Sequence, residues 1–165
     1  MNSPSVAVVT GASRGAGKGI AIGLAKLGMT VYITGRSNRE STATGWNGTP
    51  LPGTIHDTAE ACNQAGGRGI AVHCDHADDQ QVAALFAQIA REQHGRLDIL
   101  VNNAGITRDQ IFMRMSDDEW QSVLDVNLTS TMRLCRGVMR PMMKARWGRI
   151  INISSIVGAT GNPGQ

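Results

Sequence analysis

The chain predicts an α/β fold, a doubly wound parallel sheet with helices on both faces. Five short runs rich in Val and Ile recur along the 165 residues, separated by longer stretches, most of them helix-like. The segment Thr10-Gly11-Ala12-Ser13-Arg14-Gly15-Ala16-Gly17 lies between the first run and the first helical pattern. Composition agrees, because 41% hydrophobic but only 4% aromatic residues, with 20 glycines, suit an aliphatic sheet joined by tight turns.

Taken in order, residues 6–10 read as the first strand. Residues 17–27 read as a helix with Ile20, Leu24 and Leu27 on one face and Gly28 as its stop. The second strand is 30–34. The following stretch is polar and aperiodic, so residues 38–53 form an irregular insertion. Thr54 caps a helix over 55–64 that Gly66-Gly67 closes; 70–74 is the third strand, 79–94 a helix ended by Gly95, and 97–101 the fourth strand. Ser116-Asp117-Asp118-Glu119 has capping-box spacing and opens a long helix to about Ala145, bent near Pro141. Residues 149–153 form the fifth strand and Ser154 onward reads as loop. No helix pattern covers that last strand, so the expectation is a single domain over 1–165, truncated and incomplete at the C-terminal side of the sheet.

Several function classes are excluded. No apolar run approaches a membrane span, and the N-terminus lacks the layout of a signal peptide. Three widely spaced cysteines, Cys62, Cys74 and Cys135, fit reduced thiols and a cytoplasmic location. A net charge of +3, with no basic tail, does not suggest nucleic acid. His73-Cys74-Asp75-His76 does not complete a metal site, since strand alternation sends neighbours to opposite faces, and no metal is expected.

The glycine segment carries the chemistry. Strand, glycine turn and helix start make a phosphate cradle: Gly11, Gly15 and Gly17 permit close approach of the backbone, while Ser13 and Arg14 can donate to phosphate oxygens. Beyond the second strand stands Gly35-Arg36-Ser37, where a carboxylate would favour a free ribose 2′-hydroxyl. Arg36, with Arg14 nearby, instead matches a 2′-phosphate, so NADP(H) is expected rather than NAD(H).

Five pieces in order resemble the short-chain dehydrogenase/reductase family: the loop at 10–17, Asp75, Asn102-Asn103-Ala104-Gly105, Asn127, and Ile153-Ser154-Ser155-Ile156-Val157-Gly158. The resemblance implies a Rossmann-like domain. It gives Asp75 a hydrogen bond to adenine, with the backbone of His76 beside it, and lets the nicotinamide-side ribose and diphosphate pass Asn103, Ala104 and Gly105. It makes Ser155 the group that polarises a substrate carbonyl and Asn127 the holder of a water in a proton relay. The family's Tyr and Lys find no counterpart, since the one tyrosine is Tyr32 in the second strand.

The second half, with Phe112-Met113-Arg114-Met115 and Arg149-Ile150-Ile151-Asn152, is similar to 3-oxoacyl-[acyl-carrier-protein] reductases of fatty-acid synthesis. The first half departs from that subgroup at the insertion, and from the family pattern at Ala16 and His76. The implied activity is NADPH-dependent reduction of a 3-oxoacyl thioester, on acyl-carrier protein or CoA, by a homotetrameric parent; these residues alone would bind cofactor with little catalysis. Reduction of acetoacetyl-CoA or another ketone, or a non-catalytic nucleotide-binding role, are the alternatives. Arg133, Arg136, Arg140 and Lys144 share a helix face that Arg146 and Arg149 extend; it is either solvated surface or a patch that steers an acidic carrier. Met132, Met139, Met142 and Met143 read as core or subunit interface.

Overall fold

A computed structural model describes residues 4–38 and 49–165, so positions 39–48 of the expected insertion, including Glu40, lie outside the described residues. Strand β1 (Val6–Val9) pairs in parallel with β2 (Thr30–Gly35) and β4 (Ile99–Asn102); β3 (Arg68–His73) joins β2, and β5 (Arg149–Asn152) joins β4. The order β3-β2-β1-β4-β5 reverses direction between β1 and β4, as in a Rossmann-like doubly wound sheet.

Alternation along the buried strands builds two cores. Val6 and Val8 point to the same side as Tyr32 and Leu100, beneath helices α3 (Asp79–Glu92) and α5 (Ser130–Ala145), which contribute Leu85, Ile89, Leu134 and Val138. Ala7, Val9, Val31 and Ile33 face the other way, against α1 (Gly15–Ala25) and α2 (Ile55–Gln64). Among the described residues, no helix is long and apolar enough to cross a membrane.

Helix α1 departs from the expected pattern. Its buried stripe is Gly17, Ala21 and Ala25, four residues apart, whereas Ile20 and Leu24 are half-buried and Leu27, beyond the helix, is 74% exposed. Small residues let the helix axis approach the sheet, and the larger side chains then flank the contact instead of filling it. The helix ends where Gly28 takes φ +76°.

Helix α2 begins as expected: Thr54 Oγ1 accepts from Asp57 N–H at 3.1 Å and Asp57 Oδ2 from Thr54 N–H at 2.8 Å. A second capping box at Ser116 and Glu119 opens α4 (Asp117–Leu124). The long helix is interrupted by a π turn (Asp125–Thr129) before α5 resumes, and a short 3₁₀ turn (Phe112–Arg114) precedes α4. Past β5 the chain is not all loop, for Val157–Thr160 forms a short helix, α6.

Methionines on α5 divide: Met142 is buried, whereas Met132, Met139 and Met143 are exposed. Arg133 leaves the expected basic face, because it pairs with Asp79 at 2.5 Å and donates to Ala77 O at 3.2 Å, tying α5 to the start of α3.

Gly69 and Gly23 give a paired stability test. A Cβ on Gly69 would stand 2.3 Å from the Ala59 carbonyl oxygen, so β3 meets the α2 backbone directly. Gly69→Ala is expected to destabilise by about 1–3 kcal/mol through overpacking. A Cβ on Gly23 in α1 meets nothing within 4 Å, and Gly23→Ala is expected to stabilise by about 0.5–1 kcal/mol. Thermal and denaturant melts of the two variants read both signs.

Candidate functional site

Every strand of a parallel sheet delivers its C-terminal end to the same edge, and the reversal between β1 and β4 opens a crevice there. Thr10, just past β1, closes the floor. Its hydroxyl accepts from Asn103 N–H and Ala104 N–H, both at 2.9 Å, and donates to Val101 O at 3.3 Å. The Asn103 side-chain amide donates back to Thr10 O at 2.8 Å and Gly11 O at 3.2 Å. These bonds fix the glycine loop against the turn after β4.

The fit is tight enough to need glycine twice. Gly11 has φ +62°, and a Cβ there would lie 2.7 Å from Ala104 Cα; one on Gly17 would lie 2.5 Å from Asn103 Nδ2. Gly15 also takes a positive φ, +57°, but faces open space.

Among the described residues, the N-terminus of α1 lacks the side-chain caps that its neighbours have. Thr54, Asp78 and Ser116 cap α2, α3 and α4 with side-chain oxygens, whereas Arg14 gives α1 no side-chain cap and its first turn holds no acidic residue. The first bond of the helix is Lys18 N–H to Arg14 O at 3.2 Å, so the amides of Gly15, Ala16 and Gly17 have no intrahelical acceptor. Partial positive charge without a cap suits a phosphate, and the residues present fit a dinucleotide.

A cavity of about 330 Å³ runs from this loop along the end of β2, lined by Gly11, Ser13, Arg14, Arg36, Asp75 and His76 among others. Arg14 donates through Nη2 to Ser37 Oγ and Gly53 O, both at 2.9 Å, and through Nε to Pro52 O at 3.0 Å. Arg36 stands 4.0 Å from the Asp75 carboxylate, both partly exposed. His76 is 4% exposed; its Nε2 bonds Thr34 Oγ1 at 2.8 Å and its Nδ1 lies 3.6 Å from Cys74 Sγ. Burial, with the Arg36 charge, lowers the His76 pKa to about 4 against the opposing pull of Asp75, so the ring is neutral at physiological pH. Burial and then the charges of Asp75 and Asp78 push the Cys74 thiol up to about 12. A neutral ring and a protonated thiol make this pair part of the cavity floor.

A second, wider cavity of about 960 Å³ shares Asn103, Ala104, Gly105 and Ile106 with the first and continues past Asn127, Ser155, Met115 and Trp120. Asn127 sits in the π turn, where Ser130 N–H reaches back five residues to Asp125 O. Its side chain binds both ends of one residue, accepting from Ile106 N–H at 2.8 Å and donating to Ile106 O at 2.9 Å. Ser155 Oγ is exposed at the cavity wall and accepts from Val157 N–H at 3.4 Å, which leaves its hydroxyl hydrogen able to donate. Asn102 joins β4 to β5 through Asn152 Oδ1 at 2.8 Å, and its own Oδ1 is buried without a partner among the described residues.

The crevice thus gathers Gly11, Ser13, Arg14, Arg36, Asp75, His76, Asn103, Ala104, Gly105, Asn127 and Ser155 along two connected cavities, with Gly15 and Gly17 supporting the loop. Tyr32 lies elsewhere. It is fully buried beneath α3, donating to Glu92 Oε2 at 2.7 Å and accepting from Gln93 Nε2 at 2.8 Å, and burial with the Glu92 hydrogen bond raises it to about 12. Two features escaped sequence reading: the π turn under Asn127, for which no periodic signal exists, and the hold of residues 51–53 on Arg14, hinted at only by Gly53 before the Thr54 cap.

The family model described as short chain dehydrogenase matches residues 5–165. The 3-oxoacyl-[acyl-carrier-protein] reductase FabG of Pseudomonas aeruginosa is 47% identical over 161 residues, covering 97% of this chain and 59% of that protein. Escherichia coli K12 FabG is 44% identical over 163 residues, 97% of this chain and 58% of the relative. Short-chain reductase protein NovJ of Streptomyces niveus is 44% identical over 165 residues, 57% of its length. The chain therefore spans less than two thirds of the relatives it matches.

His76 gives a pH-dependent stability. Its folded pKa of about 4 lies below the unfolded value of 6.5, so the unfolded chain binds the extra proton between them. That contribution is complete above pH 6.5 and is lost as pH falls toward 4, amounting to roughly 3 kcal/mol. Denaturant melts of wild type and His76→Gln across this range should converge as pH falls, and parallel curves would show that the ring is not held neutral.

Proposed function

Because the chain belongs to the short-chain dehydrogenase family, we propose that its residues serve NADPH-dependent reduction of a 3-oxoacyl thioester to the 3-hydroxyacyl thioester. The observation that carries the reading is the uncapped start of α1 opening into a cavity continuous with that of Asn127 and Ser155. Phosphate and carbonyl subsites then lie along one crevice, at the switch point of the sheet.

Main-chain amides at Gly15, Ala16 and Gly17, with Ser13, hold the pyrophosphate; Arg14 and Arg36 meet the 2′-phosphate; Asp75 and the His76 backbone meet adenine. Asn103, Ala104 and Gly105 leave room for the nicotinamide-side ribose. The bound cofactor supplies hydride to the ketone carbon. Ser155 Oγ–H donates to the ketone oxygen as negative charge grows on it. Asn127 positions Ile106 and with it the cavity floor, and serves the proton relay that the family resemblance assigns to it.

Proton delivery by a tyrosine is not available from these residues. Tyr32, the single tyrosine, is buried and fully hydrogen-bonded away from the crevice. The 165-residue polypeptide is therefore a cofactor binder with little turnover, and the buried Tyr32 favours a nucleotide-binding module as the second reading. In the whole protein, assembled as a homotetramer and acting in the cytoplasm, the exposed Arg136, Arg140 and Lys144 on α5 steer an acyl-carrier protein or a CoA thioester.

Fluorescence titration tests cofactor choice. The chain should bind NADPH at least tenfold more tightly than NADH, and Arg36→Asp, which sets a second carboxylate beside Asp75, should erase that preference. Turnover of acetoacetyl-CoA should stay near background in both. Equal affinity of wild type for the two cofactors would overturn the assignment, and family-like turnover by this polypeptide would overturn the account of its catalytic set.

A further inference from the structure

The two arginines of the cofactor cavity are held in different ways. Arg36 faces the Asp75 carboxylate, which offsets part of its charge. Among the described residues Arg14 meets neutral acceptors only: Ser37 Oγ and Gly53 O at 2.9 Å, Pro52 O at 3.0 Å and Leu51 O at 3.5 Å. These bonds use Nε and Nη2, and both N–H groups of Nη1 have no acceptor among the described residues. The guanidinium is fixed in place while, among the described residues, no carboxylate pairs with it and two of its five N–H donors stay open.

The carbonyls that hold it are themselves anchored. Gly53 takes φ +92°, and a Cβ on it would lie 2.7 Å from the Ser13 carbonyl oxygen. The next residue, Thr54, closes the capping box of α2, and Ile55, 1% exposed, donates its N–H to Ser37 O at 2.9 Å. Thr58 Oγ1 reaches Ser13 O at 3.5 Å. The phosphate loop, the end of β2 and the start of α2 are thus joined around one side chain.

We propose that Leu51, Pro52 and Gly53, at the end of the insertion, form a carbonyl collar that positions the Arg14 guanidinium as the principal receptor for the cofactor's adenosine 2′-phosphate. The collar is a specificity-determining element that works through Arg14 and touches no substrate. It rests on the NADP(H) reading above and deepens it. A flexible arginine must lose rotamer freedom when it meets a phosphate; a held one has lost it already, so the anion gains the full charge-assisted bond.

Calorimetry with 2′,5′-ADP and 5′-AMP, which differ by the 2′-phosphate alone, tests this on the 165-residue chain. Wild type should prefer 2′,5′-ADP at least tenfold. Gly53→Ala, which forces the collar off Ser13, should lower that preference about tenfold and change 5′-AMP affinity less than twofold. Ser37→Ala removes one acceptor without backbone strain and should act in the same direction if Gly53→Ala does not fold. In an Arg14→Met background neither change should matter further, because the group they position is gone. Absence of 2′-phosphate preference in wild type overturns the NADP(H) reading together with the collar. A wild-type preference that survives Gly53→Ala and Ser37→Ala, grows on either change, or falls equally in the Arg14→Met background overturns the collar alone.

Discussion

The crevice exists because Thr10 binds the end of β1 to the turn after β4. One hydroxyl takes two main-chain donors and the Asn103 amide returns to two carbonyls, so the strands on either side of the switch point end at a common level. A Val at this position would keep the shape of the strand and leave two half-buried N–H groups without an acceptor, the costly way to lose a hydrogen bond. Gly11 and Gly17 follow from the same constraint: once Asn103 and Ala104 are drawn against the loop, no Cβ fits on either glycine.

Electrostatics then set α1 apart from the helices that follow it. Side chains satisfy the first turns of α2, α3 and α4, whereas α1 begins with Gly-Ala-Gly after Arg14 and has no side-chain cap among the described residues. The neutrality of His76 belongs to the same arrangement. A charged imidazole on the cavity floor would compete with Arg14 and Arg36 for an anion from the wrong side; burial keeps the ring uncharged and commits it to Thr34 and Cys74.

Much of this was legible in the chain because it depends on local chemistry. Buried parallel strands announce themselves as Val- and Ile-rich runs, and Thr54 and Ser116 announce capped helices through residues three positions apart. Features that depend on tertiary fit were not legible. The stripe Gly17-Ala21-Ala25 carries less hydrophobicity than Ile20 and Leu24, so periodicity favours the wrong face of α1. The π turn at Asp125–Thr129 arises where Asn127 binds the peptide of Ile106, and the hydroxyls of Ser130 and Thr131 donate to the carbonyls of Val126 and Asn127. Arg133 reads as one of four surface cations until Asp79 is brought beside it.

The two ends of the crevice are built from different loops and helices. Residues 51–53 hold Arg14, and His76 lies on the floor of the smaller cavity; Asn127, Ser155 and the wider cavity lie past Asn103 and Ala104. The Thr10 junction stands between them and is indifferent to what either end binds. Residues 51–53 hold Arg14 at the smaller cavity and lead directly into α2, whereas Ser155 and Asn127 line the wider one. If the smaller cavity takes the adenosine and the wider one the ketone, as proposed, cofactor discrimination and carbonyl chemistry can change independently, because the bonds that fix each cavity run to different elements.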